Sequence, residues 1–112
     1  MAISITVRHA ENVAILVLNG RLTIGESVGA LHDAVEERFA AGDKDVVVDM
    51  REVGYVDSSG LGGLVTCLTC ARTHGGTFRL ANVTQRVQDL LDVSTLYMVF
   101  QIIELASTKA VD

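Results

Sequence analysis

"VDSSGLGGL", residues 56–64, lies between two apolar runs of different period. Before it, "KDVVVDM" (44–50) is short and β-branched, the composition of a buried strand. After it, Leu61, Leu64, Val65, Leu68 and Ala71 recur on one side of a helical pattern that Gly75 and Gly76 stop. The quoted stretch is therefore a strand-to-helix turn. Ligands of open α/β sheets gather at such turns, beyond the carboxyl ends of the strands. The leading N–H groups of a helix lack intrahelical partners and carry about half a positive charge. Asp57, Ser58 and Ser59 are all good capping residues. One reading makes the serines caps and the glycines points of close approach to the sheet. The other makes this a site for an anion or a phosphate. Spacing alone leaves both open.

Outward from this turn the chain alternates strands and helices. "ISITVR" (3–8) has period two, and "NVAILVLNG" (12–20) holds a continuous apolar run suited to a strand covered on both faces. The short "HAEN" between them fits a hairpin. In "LTIGESVGALHDAVEERFAAG" (22–42), Ile24, Val28, Leu31, Val35 and Phe39 form one helical stripe, and Thr23 with Glu26 reads as a capping box. Gly25 and Gly29 weaken its first turns, and Gly42 suits its end. "REVGYV" leads into the quoted turn. "TFRLAN" (77–82) alternates as a strand. "TQRVQDLLDVS" (84–94) is a helix capped by Thr84, with Val87, Leu90 and Leu91 inward. "YMVFQIIE" (97–104) is a last strand, and "LASTKAVD" a tail or short helical end. The order ββαβαβαβ predicts an α/β fold with a mostly parallel or mixed sheet.

Composition narrows the function. The 112 residues suit a single domain spanning 1–112, with 49% apolar and only 4% aromatic residues, so the core is aliphatic. The net charge is −5 and the basic residues are scattered. That argues against nucleic acid and against an anionic membrane surface. The longest apolar run, Val13 to Leu18, is too short to span a bilayer. The N-terminus lacks the pattern of a signal peptide, so a cytoplasmic protein is expected.

Cys67 and Cys70 form a C-x-x-C, and His74 shares their helix face. A structural zinc site needs a further ligand pair, and a redox pair belongs at a helix N-terminus, whereas this one lies inside the helix. Small apolar residues against the sheet is the reading adopted, with no metal and no cofactor. "SSGLG" is not a nucleophile elbow, and "GLGG" lacks the Lys-Ser/Thr of a phosphate loop. His9, His32 and His74 have no evident serine partner. A binding domain is expected rather than an enzyme.

"VVVDMREVGYVDSSGLGGLV" (46–65) resembles the signature of the STAS domain, specifically the bacterial anti-sigma factor antagonists. "LVLNGRLTIGES" is similar to the family's entry to its first helix, and "GGTFRLANVTQRVQDLLDVSTLYMVFQI" to its closing strand, helix and strand. The resemblance implies a small mixed sheet with helices packed mainly on one side. It implies a partner switch: the unmodified chain binds an anti-sigma factor serine/threonine kinase and releases a sigma factor. Phosphorylation of Ser58 ends the contact, and a serine phosphatase restores it. Asp57, Ser59, Gly60, Leu61, Gly62 and Thr23 would then frame the partner surface on a monomer or weak dimer. Many relatives carry an acidic or small polar residue where this chain has Thr23. STAS domains also serve anion transporters and lipid-transport complexes. The alternative expectation is thus a subunit docked on the ATPase of a membrane transport complex.

Overall fold

The computed structural model describes residues 3–105, and of Tyr97 the backbone alone; the tail from Ala106 lies outside them. Strands β1 (Ser4–Ala10) and β2 (Val13–Leu22) form the hairpin, turned at Glu11 with φ 58°. Then follow α1 (Glu26–Ala40), β3 (Asp45–Val56), α2 (Ser58–Thr73), β4 (Thr77–Ala81), α3 (Gln85–Val93), a 3₁₀ turn (Leu96–Met98) and β5 (Gln101–Ile103). The sheet runs β1-β2-β3-β4-β5, antiparallel between β1 and β2 and parallel thereafter. The mixed sheet and the order ββαβαβαβ are as the sequence predicts.

One aliphatic cluster holds the layers together. The sheet contributes Leu16, Leu18, Val46, Val48, Met50 and Leu80. The helices contribute Leu31, Val35 and Phe39 from α1, Leu61, Leu64 and Ala71 from α2, and Val87 and Leu91 from α3. The alternate residues Ile15, Val47 and Ala81 are buried outside this cluster, which explains the unbroken apolar runs of β2 and β3.

Three expectations are corrected. β3 does not stop at Met50, because "REVGYV" continues it to Val56. β2 also runs through Gly20, whose φ of 133° goes with register shifts against β3. The two strands end together, with Leu22 opposite Val56. Second, the capping box of Thr23 and Glu26 does not form. Helix α1 starts only after Gly25, whose φ of 102° suits glycine alone. Instead the buried Ser27 hydroxyl accepts from the Thr23 N–H at 2.9 Å and donates to the Thr23 carbonyl at 2.9 Å. Third, "YMVFQIIE" is not one strand. Thr95 is left-handed (φ 61°), a 3₁₀ turn follows, and Phe100 swings inward against Phe78. Only Gln101–Ile103 is left to pair with β4.

Candidate functional site at the head of α2

The shared end of β2 and β3 places two segments side by side. Leaving β2, Thr23 to Gly25 loop over to α1; leaving β3, Asp57 turns into α2. The Asp57 N–H donates to the Leu22 carbonyl at 3.2 Å, which ties the two exits. Asp57 is the N-cap, with extended backbone (φ −98°, ψ −176°). Its Oδ1 accepts from the Gly60 N–H at 2.8 Å, and its carbonyl from Leu61 N–H at 3.0 Å. Its Oδ2 accepts from the Ile24 N–H at 3.0 Å, across to the other segment. The Ile24 N–H, then the Gly60 N–H, hold the carboxyl below its ordinary value, against a smaller opposing effect of burial. One carboxylate thus fixes the loop before α1 against the first turn of α2.

Of the residues singled out in the sequence, Ser58 is exposed as the first residue of α2, and Ser59 is half-buried. Gly62 is exposed one turn on. Gly60 and Leu61 are buried beneath them. A Cβ on Gly60 would press into the Leu22 carbonyl oxygen and stand 2.8 Å from Val56 Cγ1, so glycine is what lets the helix seat on the strand ends. A Cβ on Gly63 would stand 2.8 Å from Val28 Cγ1, where α1 crosses α2, while one on Gly62 would meet nothing within 4 Å. Thr23 is half-buried in the loop that Asp57 holds. Ser58, Asp57 and the Thr23 loop are therefore brought together. Gly60 and Leu61 lie under the surface and not on it.

Ile24 belongs to this group, although the sequence places it in the buried stripe of α1. It precedes the helix and is 76% exposed, while Ser27, Leu31, Val35 and Phe39 carry the buried face. The sequence signal is Gly25, a residue that can take the positive φ of 102° found at this N-cap, so the helix begins only after it.

The cysteines separate. Cys67 lies in the core, and burial, then Cys70, pushes its thiol up to about 12. Cys70 is half-buried on the α1 side, in a cleft of about 230 Å³ lined also by His32, Glu36 and His74. Burial, then Glu36, raises its thiol. Cys70 Sγ is 3.9 Å from His74 Nδ1. Among the described residues no three His, Cys, Asp or Glu side chains converge on a point that could hold a metal. No helix among them is long and apolar enough to cross a membrane.

Comparison with known proteins agrees with this architecture. The chain is 27% identical over 96 residues to the anti-sigma-B factor antagonist of Bacillus subtilis (strain 168), covering 86% of each. A STAS domain protein from Planctomyces limnophilus has the same fold, with TM-score 0.76 and 20% identity over 96% of this chain and 94% of that one. So does the Bacillus cell fate determinant SpoIIAA in its phosphorylated form, with TM-score 0.70 and 15% identity over 97% of both chains. A sulfate transporter family protein from Wolinella succinogenes aligns at TM-score 0.65 and 16% identity, over 83% of this chain and 77% of that one. The family model described as "Mlab, STAS domain" matches residues 5–101, and with the Asp57-capped helix at the end of β3 in place, the chain belongs to the STAS domain family.

Proposed function

We propose that this chain is an anti-sigma factor antagonist that works by partner switching. Unphosphorylated, it binds a serine kinase that doubles as an anti-sigma factor. Phosphorylation of Ser58 ends that binding, and a phosphatase reverses it. The observation that carries the reading is the position of Ser58: an exposed hydroxyl opening α2, directly after the capping Asp57. A helix start tolerates the added anion. Because the Asp57 carboxylate is committed to two amides and held below its ordinary pKa, it is a poor base for activating the neighbouring hydroxyl. Ser58 suits a substrate of another enzyme better than a nucleophile. The anti-sigma-B factor antagonist among the relatives supports the same reading.

The test is incubation with ATP and a lysate of the bacterium that encodes the chain, followed by intact mass. One phosphate should appear, absent in Ser58→Ala, with a folded circular dichroism spectrum in both. A full shift surviving in Ser58→Ala would sink the assignment.

A second reading is a STAS subunit docked on the ATPase of a membrane transport complex. The sulfate transporter family protein with the same fold favours it. Co-purification with an ABC-type ATPase, and no phosphate on Ser58, would decide for it.

A further inference from the structure

We propose that β1 is a self-association edge: two copies of this chain join β1 to β1, antiparallel and two-fold symmetric, so that two five-stranded sheets become one continuous sheet. The contact is independent of the partner-switch reading above.

An edge strand specifies the chemistry of what covers it, because its outward N–H and C=O groups match another extended backbone. Every other residue of β1 turns these groups away from β2. Natural edges are blunted by lysine, proline, a bulge or shortness. β1 has none of these: Ser4–Ala10 is seven residues long, holds neither lysine nor proline, and pairs with β2 in unbroken register. The opposite edge is blunted, since β5 is three residues long. Ile5 packs against the core, but Val7, next on the same face, is left 44% exposed at the rim.

The residues of β1 select a second copy as the occupant. In a two-fold antiparallel pair, the residues that face each other lie on the same face of the sheet. The register centred on Val7 pairs all seven residues of both strands. It sets Val7 against Val7, Thr6 against Arg8, Ile5 against His9 and Ser4 against Ala10. No like charges then stand opposite, and the two exposed valines cover each other. Centring on Arg8 would oppose two guanidinium groups. The chain carries a net charge of −5, so most of its surface repels a second copy, whereas β1 holds Arg8 and His9 and no carboxylate. Two-fold pairing uses up both β1 edges, so the assembly closes at two copies. Ser4 pairs with Asn19, toward the end of β2 that adjoins the head of α2. Antiparallel joining therefore sends the two Ser58 sites to opposite ends of the dimer.

The experiment is sedimentation equilibrium of the purified chain over a concentration series reaching about 1 mM. The wild type should fit a monomer–dimer equilibrium. Val7→Lys should weaken it about tenfold or more, because two ammonium groups then face each other. Val93→Lys places the same charge on a more exposed valine at the end of α3 and should change nothing (Val93 is 86% exposed). A second measurement stands even where Val7→Lys fails to fold. In a Cys70→Ser background, with dissolved oxygen as oxidant, Val7→Cys should form a disulfide-linked dimer, read by intact mass without reductant. Ser4→Cys, which faces Ala10, should stay unlinked. A wild type that sediments as a monomer throughout overturns the inference. So does an equilibrium that a folded Val7→Lys leaves unmoved, or that Val93→Lys weakens equally. Linking of Ser4→Cys as fast as Val7→Cys overturns it too, and so do species that grow past the dimer. None of these outcomes bears on Ser58 phosphorylation, which is tested separately.

Discussion

At Asp57, two amides from distant parts of the chain converge on one carboxylate. Their hydrogen bonds favour the charged form, so folding lowers its pKa from the ordinary 3.8. The sign follows: a carboxyl that is more acidic folded than unfolded adds stability above the unfolded value. That stability fades as pH falls through the folded one. Asp57→Asn should therefore melt below wild type at neutral pH, and the gap should narrow as the pH is taken below 3.8. A gap that stays constant across that range would show the two bonds to be no better with a charged acceptor. This residue also shows where sequence reading stops. A capping aspartate before Ser-Ser-Gly is legible from local chemistry. Its bond to Ile24 spans 33 positions, and no local pattern encodes it. Ile24 was misplaced for a related reason: its spacing to Val28 and Leu31 is helical, but Gly25 delays the helix past it.

Among the elements, α2 is where the glycines sort themselves. All belong to one motif in the sequence, yet their surroundings differ. Gly60→Ala should destabilise by about 1–3 kcal/mol or more, since the new methyl meets the Leu22 carbonyl and Val56. Gly62→Ala has open space and a helical backbone, so it should stabilise by roughly 0.5–1 kcal/mol. Chemical denaturation of both variants checks this, and a stabilised Gly60→Ala would remove the seating argument. Gly62→Ala has a second use. If the bare surface near Ser58 matters for close approach, this variant should be sturdier yet a poorer kinase substrate. The order of elements was legible because each carries its own period, two in "ISITVR" and helical after Ser58. The ends of elements were not. "YMVFQIIE" reads as a strand by composition, whereas the short path from α3 back to the sheet forces a turn through Thr95.

For the whole molecule, phosphorylation at Ser58 should change binding and leave folding nearly untouched. The dipole of α2 attracts the phosphate by about 0.3–1 kcal/mol. Asp57, already bound to Gly60 N–H, repels it. These oppose each other, so the melting midpoint should move by only a few degrees, at about 4–8 °C per kcal/mol for a domain of this size. Across a protein interface nothing offsets a buried unpaired charge. The affinity for the kinase should fall about a hundredfold or more. Melting both forms and titrating both against the kinase tests the pair of statements. A phosphorylated form that melts far lower, or binds equally well, contradicts them.

The sheet is laid down in chain order, so its strands differ in how they are held. β3 is flanked by β2 along most of its twelve residues and by β4 along five, whereas β5 clings to β4 through three register pairs at an edge. Amide hydrogens should therefore exchange with deuterium in a graded sequence: Gln101 to Ile103 within the fastest class, and Val46 to Val48 only when the whole chain opens. Past Asp49 the end of β3 that leads to Ser58 has β2 alone beside it, so its last residues should exchange sooner than Val46 to Val48.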